Sequence, residues 1–357
     1  MTGHSSSSIK RNFTDILVVG AGPAGLNAAL SARDAGATVT LIDKATVPGN
    51  KACAGGLTRE STKAMPLSTT KLRAHHPFLA LHVITPKGRT MLSSIDGAPL
   101  MTTIDRPTLQ DNLLEMLRDR GGVVYLQERL LSTDTALART ASREIPFGHL
   151  IGADGVHSRI RRFLGLEKGI QVRALALTVS AATGKARGID TEAPTVWFDT
   201  DLFGAGYAWS FPFGETLRLG IGVAGRSRPS PPLRALFNTW LTRIGLKPSD
   251  GVITAGTIGC GYAGYRFGNI YLAGDAAGLA SPLTGEGIAQ ALVSGKEVAR
   301  EITTPAYRSD RIAALATRHR RTLSALSNSP LVRLLDAAPR LLEFDVVRRG
   351  TLRRFVY

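Results

Sequence analysis

Three glycines and one later carboxylate have the types and spacing that bind a dinucleotide. Gly20, Gly22 and Gly25 follow an apolar run that starts at Ile16, and Asp43 lies 23 residues after Gly20. In a strand–turn–helix unit the first glycine permits the tight turn, the second admits a pyrophosphate, and the third packs the helix on the strand. Asp43 can accept ribose hydroxyls, and its charge repels a 2′-phosphate. The pattern therefore predicts FAD or NAD rather than NADP.

Two later glycine–aspartate motifs resemble those of the para-hydroxybenzoate hydroxylase type of flavoprotein. Asp154 lies in the first motif, residues 150–161, and Asp275 in the second, residues 269–277, which a glycine-rich turn at 285–287 follows. The resemblance implies FAD, with Asp275 at the ribityl chain and the helix start after it at the flavin ring. That helix start can stabilise negative charge on a reduced flavin. Asp154 has two interpretations, a scaffold residue or a direct cofactor contact.

An aromatic motif at 207–212 has two interpretations. Tyr207, Trp209 and Phe211 alternate along a predicted strand, so they share one face. Aromatic rings on one face form a rigid apolar wall for an isoprenoid chain, and their faces can stabilise a developing carbocation. The same alternation also fits strand residues that pack into the domain core.

Two segments together resemble the geranylgeranyl reductase family of flavoproteins. One is Lys51-Ala-Cys53-Ala-Gly55-Gly56-Leu57, which departs from the family pattern at Ala54. The other is the aromatic motif followed, after seven residues, by Gly220-Ile-Gly222. The resemblance covers roughly residues 14–305. It implies FAD-dependent reduction of carbon–carbon double bonds in an isoprenoid or related apolar substrate, by hydride transfer from reduced flavin. The substrate residues it implies are Tyr207, Trp209, Phe211 and Pro282.

Arg106 opens a predicted helix and resembles the arginine that many such flavoproteins place near FAD. The alternative is a surface arginine in a salt bridge.

Cys53 is expected near the flavin and is the one candidate catalytic residue. Its other interpretation is a small buried residue beside a turn. The residues expected around the cofactor are Gly20, Gly22, Ala24, Gly25, Asp43, Lys44, Cys53, Gly55, Gly56, Leu57, Arg106, Asp154, Gly274, Asp275, Gly285, Gly287 and Ile288.

Other chemistries on this scaffold remain open. A flavin-dependent monooxygenase acting on an aromatic or natural-product substrate is the alternative function. A halogenase motif, W-x-W-x-I-P, has the same spacing as 207–212, but Tyr207 and Phe211 replace its first tryptophan and its isoleucine. No second GxGxxG unit is present, so electrons are expected from transiently bound NAD(P)H or from an electron-donor protein.

Composition limits the class of protein. Two cysteines, Cys53 and Cys260, cannot form a disulfide framework, and the seven histidines show no metal-ligand spacing, so no metal is expected. A reducing cytoplasm is the natural location. Residues 1–13 are polar and serine-rich, which predicts a disordered leader rather than a signal peptide.

The net charge of +16 favours acidic partners. Eleven arginines and four acidic residues lie from Arg308 onward, in a segment with helical apolar periodicity that restarts near Pro330. This basic C-terminal segment fits peripheral docking on an anionic membrane, a phosphorylated prenyl substrate, or a solvated helical face. Nucleic acid is an unlikely partner, because the sequence has no recognition-helix or RNP-type signature.

The order of motifs predicts an α/β fold with interleaved parts. A Rossmann-like FAD-binding domain is expected from residues 14–72, 105–165 and 266–305. A mostly antiparallel β substrate domain is expected from 73–104 and 166–265, and a basic helical C-terminal segment from 306–357. Helices are predicted at 105–120, at about 285–302 and from 309 onward, and residues 172–225 have β-type patterns throughout.

Overall fold

The computed structural model describes residues 13–49, 51, 53–66, 75–86, 88–94, 96–167, 169–204, 206–225, 232–281 and 285–327. Within them the helices are α1 Pro23–Asp34, α2 Arg59–Ala64, α3 Arg106–Asp119, α4 Arg159–Phe163, α5 Ala181–Ala186, α6 Thr200–Phe203, α7 Leu233–Arg243, α8 Ile288–Thr303 and α9 Asp310–Ser327. The strands are β1 Thr14–Val19, β2 Val39–Ile42, β3 Gly56–Thr58, β4 His75–Phe78, β5 Ala80–Thr85, β6 Gly88–Ser93, β7 Met101–Ile104, β8 Val123–Tyr125, β9 Ser132–Thr133, β10 Leu137–Arg139, β11 Glu144–Gly152, β12 Gln171–Ser180, β13 Thr195–Trp197, β14 Gly206–Phe213, β15 Thr216–Gly225, β16 Val252–Gly259, β17 Arg266–Phe267 and β18 Ile270–Leu272.

The first sheet has the strand order β17-β18-β11-β1-β2-β8, with β10 and β9 added beside β11. Strands β18, β11, β1, β2 and β8 run parallel, so their carboxyl ends meet at one edge. The buried run of β1 lies at the centre, as its continuous apolar sequence predicts. Helix α8 approaches α1 so closely that a Cβ atom on Gly295 would overlap the Ala24 carbonyl. The glycine turn, Asp43, Asp154 and Asp275 therefore all follow strands of this one sheet.

The second sheet has the order β16-β12-β15-β14-β13-β5-β6 and is antiparallel except where β13 pairs with β5. Alternation gives it two different faces. One face carries Leu175 and Leu219 and packs on Phe237 and Trp240 of α7. The other face carries small residues of β12 and β15 and the aromatic residues of β14. This second face is turned toward the segment around Cys53, because Ala54 packs against its aromatic cluster.

A third sheet has the strand order β3-β7-β4. Its strand β3 follows Cys53 closely in the sequence, so the Cys53 segment leads directly into this sheet. The mixed α/β fold predicted from the sequence is confirmed, since parallel and antiparallel sheets are interleaved along the chain. The limits of the proposed domains stay a prediction. The strands of the first predicted substrate-domain segment divide between two sheets, because β4 and β7 join the third sheet while β5 and β6 join the second.

Two helical predictions need correction. Helix α8 begins at Ile288 rather than near Gly285, because Gly285 has φ +60°, a left-handed conformation that cannot start a right-handed helix. Helices α5 and α6 interrupt the stretch 172–225 that was predicted as β throughout. The hydroxyl of Ser180 accepts a hydrogen bond from the Thr183 N–H at 3.1 Å and starts α5. Helix α7 has no counterpart in the sequence prediction.

Helix α9 lies where helical periodicity was predicted. Its buried positions include Ile312, Leu315 and His319. The helix predicted after Pro330, and the remainder of the basic C-terminal segment, lie outside the described residues. No helix in the described part of the chain combines the length and apolar character needed to cross a membrane.

Candidate active site

The glycine turn between β1 and α1 has the geometry of a phosphate cradle. Gly20 has φ +112°, and a Cβ atom there would lie 3.0 Å from Asp154 Cα and overlap the Ala153 carbonyl. A Cβ atom on Gly25 would lie 3.2 Å from Ala153 Cβ and overlap the Gly20 carbonyl. Nothing lies within 4 Å of the corresponding point on Gly22. Gly20 and Gly25 are thus required by packing, whereas Gly22 leaves open space over the backbone, as a bound pyrophosphate requires.

Asp43 holds this turn in place. Its Oδ2 accepts a hydrogen bond from the Ala21 N–H at 2.6 Å, and its Oδ1 accepts one from the Ala45 N–H at 2.7 Å. Each carboxylate oxygen keeps a further lone pair that a ribose hydroxyl can use. Lys44 is exposed beside it, while Ala24 is buried on α1. Asp43 therefore organises the loop and remains a candidate ribose ligand.

Three buried polar atoms at this edge of the first sheet have no protein partner among the described residues. They are Arg106 Nε, Gln110 Oε1 and Asp154 Oδ1. Gln110 Nε2 donates to the Ala21 carbonyl of the glycine turn at 2.5 Å, so its amide lies at the cradle. Buried polar atoms normally find a partner, and a nucleotide with phosphate and sugar groups fits atoms left without one. The arrangement therefore fits FAD, and Gln110 is a residue that the sequence analysis missed.

Asp154 has a clear structural role. Its Oδ2 accepts a hydrogen bond from the Arg159 N–H at 2.6 Å at the start of α4. Burial raises the pKa of this carboxyl, and the hydrogen bonds from Ser158 and Arg159 oppose that rise. Oδ1 remains available, so the cofactor contact predicted for Asp154 stays a prediction. The first interpretation, a scaffold residue, describes the contacts that the structure shows.

Asp275 lies in a short 3-10 turn, Gly274–Ala276, directly after β18. Its Oδ2 forms an ion pair with Lys51 Nζ at 3.1 Å. A buried arginine, Arg161, supports the turn from below by donating to the Ala276 carbonyl at 3.2 Å and to the Gly261 carbonyl at 2.7 Å. The structure thus brings Lys51 and the second glycine–aspartate motif together, although Lys51 and Asp275 are 224 residues apart in the sequence.

The thiol of Cys53 lies beside Arg106. Its Sγ accepts hydrogen bonds from the Gly55 N–H at 3.3 Å and from Arg106 Nη1 at 3.7 Å. Arg218 of β15 holds the same loop by donating to the Cys53 carbonyl at 3.3 Å and to Asp105 at 2.9 Å. Arg218 was not singled out in the sequence, because an isolated arginine in a strand carries no motif. Cys53 and Arg106 are thus brought together, and a chemical role for the thiol stays a prediction.

The two glycines after Cys53 fit against the aromatic strand. Gly55 has φ +70°, and a Cβ atom on Gly56 would lie 2.9 Å from a ring carbon of Phe211. The side chains of Leu57 and Ile288 are buried in the hydrophobic core, so only their backbone atoms can face a cofactor.

The aromatic motif forms a row on a face of small residues. Trp209 and Phe211 are 4% and 6% exposed and pack with Ala174 and Ala176 of β12. The Tyr207 ring contacts those of Phe198 and Trp209, with centroids 5.9 and 5.8 Å away. Trp209 and Phe211 are therefore core residues as well as candidates for the substrate wall. Their predicted substrate contact is untested, and Pro282 lies outside the described residues.

Tyr207 extends this row to the glycine-rich turn before α8. A Cβ atom on Gly285 would lie 3.2 Å from Tyr207 Oη, and one on Gly287 would lie 3.4 Å from Asp275 Oδ1. Burial raises the pKa of Tyr207 far above its usual value. The turn that contains the predicted cofactor residues Gly285 and Gly287 is therefore a neighbour of the aromatic row.

Glu286 is the ionisable residue at the centre of this turn. Thr58 Oγ1 donates to Glu286 Oε1 at 2.7 Å. Burial raises the pKa of the Glu286 carboxyl, while Thr58 opposes the rise. The sequence motif contains Glu286, but the sequence analysis assigned it no role, because its contact with Thr58, 228 residues away, arises only in the folded chain.

Comparisons with known proteins agree with this geometry. Residues 13–198 match the protein family described as FAD binding domain. The chain is 30% identical over 320 residues to the digeranylgeranylglycerophospholipid reductase of Methanothrix thermoacetophila, in an alignment that covers 83% of this chain and 78% of that protein. It is 28% identical to digeranylgeranylglycerophospholipid reductase 1 of Methanopyrus kandleri, with 84% and 83% covered.

A solved structure shows the same fold. The geranylgeranyl bacteriochlorophyll reductase-like protein of Thermoplasma acidophilum superposes with a TM-score of 0.70 at 22% identity, over 88% of this chain and 83% of that one. The family model and the relative at 30% identity confirm the family predicted from the motifs. This chain belongs to the geranylgeranyl reductase family of FAD-dependent oxidoreductases.

Proposed function

We propose that this FAD-dependent oxidoreductase reduces carbon–carbon double bonds in an isoprenoid chain that carries an anionic head group. One observation carries the proposal: the aromatic row of β14 ends with Tyr207 against Gly285, at the turn where the resemblance puts the flavin ring. The row provides a rigid apolar wall beside that turn. An apolar chain that lies along the wall reaches the turn at Tyr207.

The residues of this chain bind, orient and shield the reactants. Bound FAD supplies the hydride when it is reduced. The open backbone at Gly22 would receive the pyrophosphate, Asp43 the ribose, and Asp275 the ribityl hydroxyls. The N-terminus of α8 would stabilise negative charge on the reduced ring. Trp209 and Phe211 keep water from the apolar side of the site.

The head group has a candidate position on α9. An open cavity of about 530 Å³ is lined there by Ala313, Ala314, Thr317, Arg318 and Arg321. Guanidinium groups bind phosphate oxygens with two parallel hydrogen bonds. The Arg318 charge is close enough to lower the pKa of Glu286. A phosphate held by this helix therefore leaves its apolar chain near the turn at 285–287.

The electron source is part of the proposal. The described structure has one glycine cradle of the dinucleotide type, so NAD(P)H binding transiently, or an electron-donor protein, would reduce the flavin.

We also propose that the protein is cytoplasmic and docks on anionic membranes through its basic C-terminal segment. Deletion of residues 340–357 should abolish sedimentation with anionic liposomes while bound flavin is retained. Unchanged sedimentation would remove the docking role.

Flavin reoxidation tests the proposed reaction. The FAD-loaded protein is reduced anaerobically with dithionite and mixed with geranylgeranyl diphosphate, with a fully saturated chain of the same head group as control. We expect flavin oxidation with the alkene and none with the saturated chain. Oxidation that begins only when oxygen is admitted, with a hydroxylated or halogenated product from an aromatic substrate, would favour the monooxygenase or halogenase alternative instead.

A further inference from the structure

The turn that precedes α8 carries an acid in a position to serve the reaction. Glu286 lies between Gly285, whose neighbour is Tyr207 Oη, and Gly287, whose neighbour is Asp275 Oδ1. Its carboxyl is held by the Thr58 hydroxyl, 2.7 Å from Oε1. The backbone fixes it as well, because the Ser281 N–H donates to the Glu286 carbonyl at 2.9 Å. The acid is therefore fixed beside the aromatic row and the expected flavin position.

The surroundings of Glu286 favour its protonated form. Burial is the largest effect, and the negative charge of Glu60 on α2 adds to it. Arg318 of α9 and the hydrogen bonds from Thr58 and Gln290 act in the opposite direction. Tyr207 Oη lies beside the same turn, and burial raises the pKa of this phenol further above its usual value. A raised pKa moves a glutamate toward the range in which it can act as a general acid.

We propose that Glu286 is the catalytic acid that supplies the proton for alkene reduction, an inference that rests on the proposed function. Hydride from reduced FAD forms one new C–H bond with the flavin's electron pair, and the Glu286 carboxyl gives its proton to the other alkene carbon. The alkene is reduced by two electrons, the flavin is oxidised by two, and Glu286 becomes a carboxylate. Solvent water then returns the proton to the carboxylate.

Substitution of Glu286 tests this assignment. In Glu286→Gln, we expect flavin reoxidation by geranylgeranyl diphosphate to slow by about 100-fold or more, since general acids contribute roughly that factor. The alkaline decline of the wild-type rate, which follows deprotonation of Glu286, should disappear. Glu286→Ala should regain part of the rate with added formate. Glu60→Gln, at an acid on the adjacent helix, should keep the rate at neutral pH, and because it removes a charge that raises the pKa of Glu286, it should move the alkaline decline to lower pH.

A readout other than turnover separates a proton donor from a packing residue. Infrared difference spectra of the FAD-loaded protein should show a protonated carboxyl band at neutral pH that Glu286→Gln lacks, with FAD affinity unchanged. A Glu286→Gln variant that reduces the alkene at the wild-type rate would overturn the inference and leave the proposed function intact. A large loss in Tyr207→Phe but none in Glu286→Gln would transfer the role to Tyr207. Wild-type protein that reduces no alkene would overturn the proposed function and this inference with it.

Discussion

Trp209 and Gly220 lie directly opposite each other on the adjacent strands β14 and β15. A Cβ atom on Gly220 would be 2.7 Å from Trp209 Cε2, and closer still to Cζ2. The indole therefore occupies the volume that any side chain at 220 would need. The fixed spacing between the aromatic motif and the later glycines thus has a packing cause: it sets the cross-strand register that puts glycine under tryptophan.

Alanine substitutions at Gly220 and Gly222 should have different effects on the stability of the protein. Gly220→Ala should destabilise the protein by about 1–3 kcal/mol, because the added methyl group overpacks the indole. Gly222→Ala is the matched control: its Cβ would lie 3.5 Å from Trp209 Cζ3, an ordinary contact. It should leave stability unchanged or raise it by up to about 1 kcal/mol, since alanine loses less backbone entropy than glycine. Urea unfolding followed by tryptophan fluorescence measures both, and equal losses would contradict the packing account.

Two substitutions in the glycine turn should have different effects, one on cofactor binding and the other on folding. Gly22→Ala should leave the stability of the FAD-free protein unchanged, because nothing lies within 4 Å of the new Cβ. Its FAD affinity should fall by roughly tenfold or more, a loss of about 1.4 kcal/mol or greater, since the methyl group blocks the pyrophosphate. Gly25→Ala should instead impair folding itself. Flavin-fluorescence titration and thermal unfolding distinguish the two variants; a Gly22→Ala protein with wild-type FAD affinity would argue against this cradle.

The stability of the protein should depend on pH through Glu286. The pKa of this carboxyl is raised in the folded protein, so the folded state holds the proton more tightly than the unfolded chain. Its contribution to stability is complete below the ordinary glutamate pKa of about 4.3 and is lost as the pH rises through the folded pKa. Glu286→Gln lacks this loss. The unfolding free energy of the variant should therefore increase relative to that of the wild type as the pH rises. Urea titrations at pH values from about 5 to 8 measure this difference, and a constant difference would contradict it.

Substitutions at the proposed head-group site on α9 should weaken substrate binding more than they slow the chemical step. The double variant Arg318→Gln, Arg321→Gln should raise KM for geranylgeranyl diphosphate by about tenfold or more, because two charge-assisted contacts are removed. Its kcat should stay near the wild-type value. Arg234→Gln, an exposed arginine on α7, is the control and should change neither constant. A loss confined to kcat, or an equal loss with the uncharged alcohol, would argue against phosphate binding at this site.

Local patterns predicted the parts of the fold that local forces decide. The glycine turn, the apolar run of β1 and the periodic helices α3 and α9 could be predicted, since their signals lie within a few turns or strands. The sequence patterns predict no helix at α7 and predict β structure at α5. Their helical state depends on packing against the second sheet and on the cap at Ser180.

The site was predictable where a motif carries it and missed where only folding creates it. The positions of Asp43 and Asp275 directly after strands were predictable, because motif spacing fixes them. Gln110, Arg218 and Glu286 were not assigned, because their roles depend on contacts with residues 89, 165 and 228 positions away in the sequence. Burial of a carboxyl beside a distant helix has no counterpart in a linear pattern.

The most direct test of the reductase assignment is the mass of the product from one anaerobic turnover. Dithionite-reduced, FAD-loaded protein is mixed with geranylgeranyl diphosphate, and the lipid is analysed once the flavin has been oxidised. The account predicts a gain of about two mass units per reduced double bond, from one hydride and one proton. An unchanged lipid mass while the flavin stays reduced would contradict it.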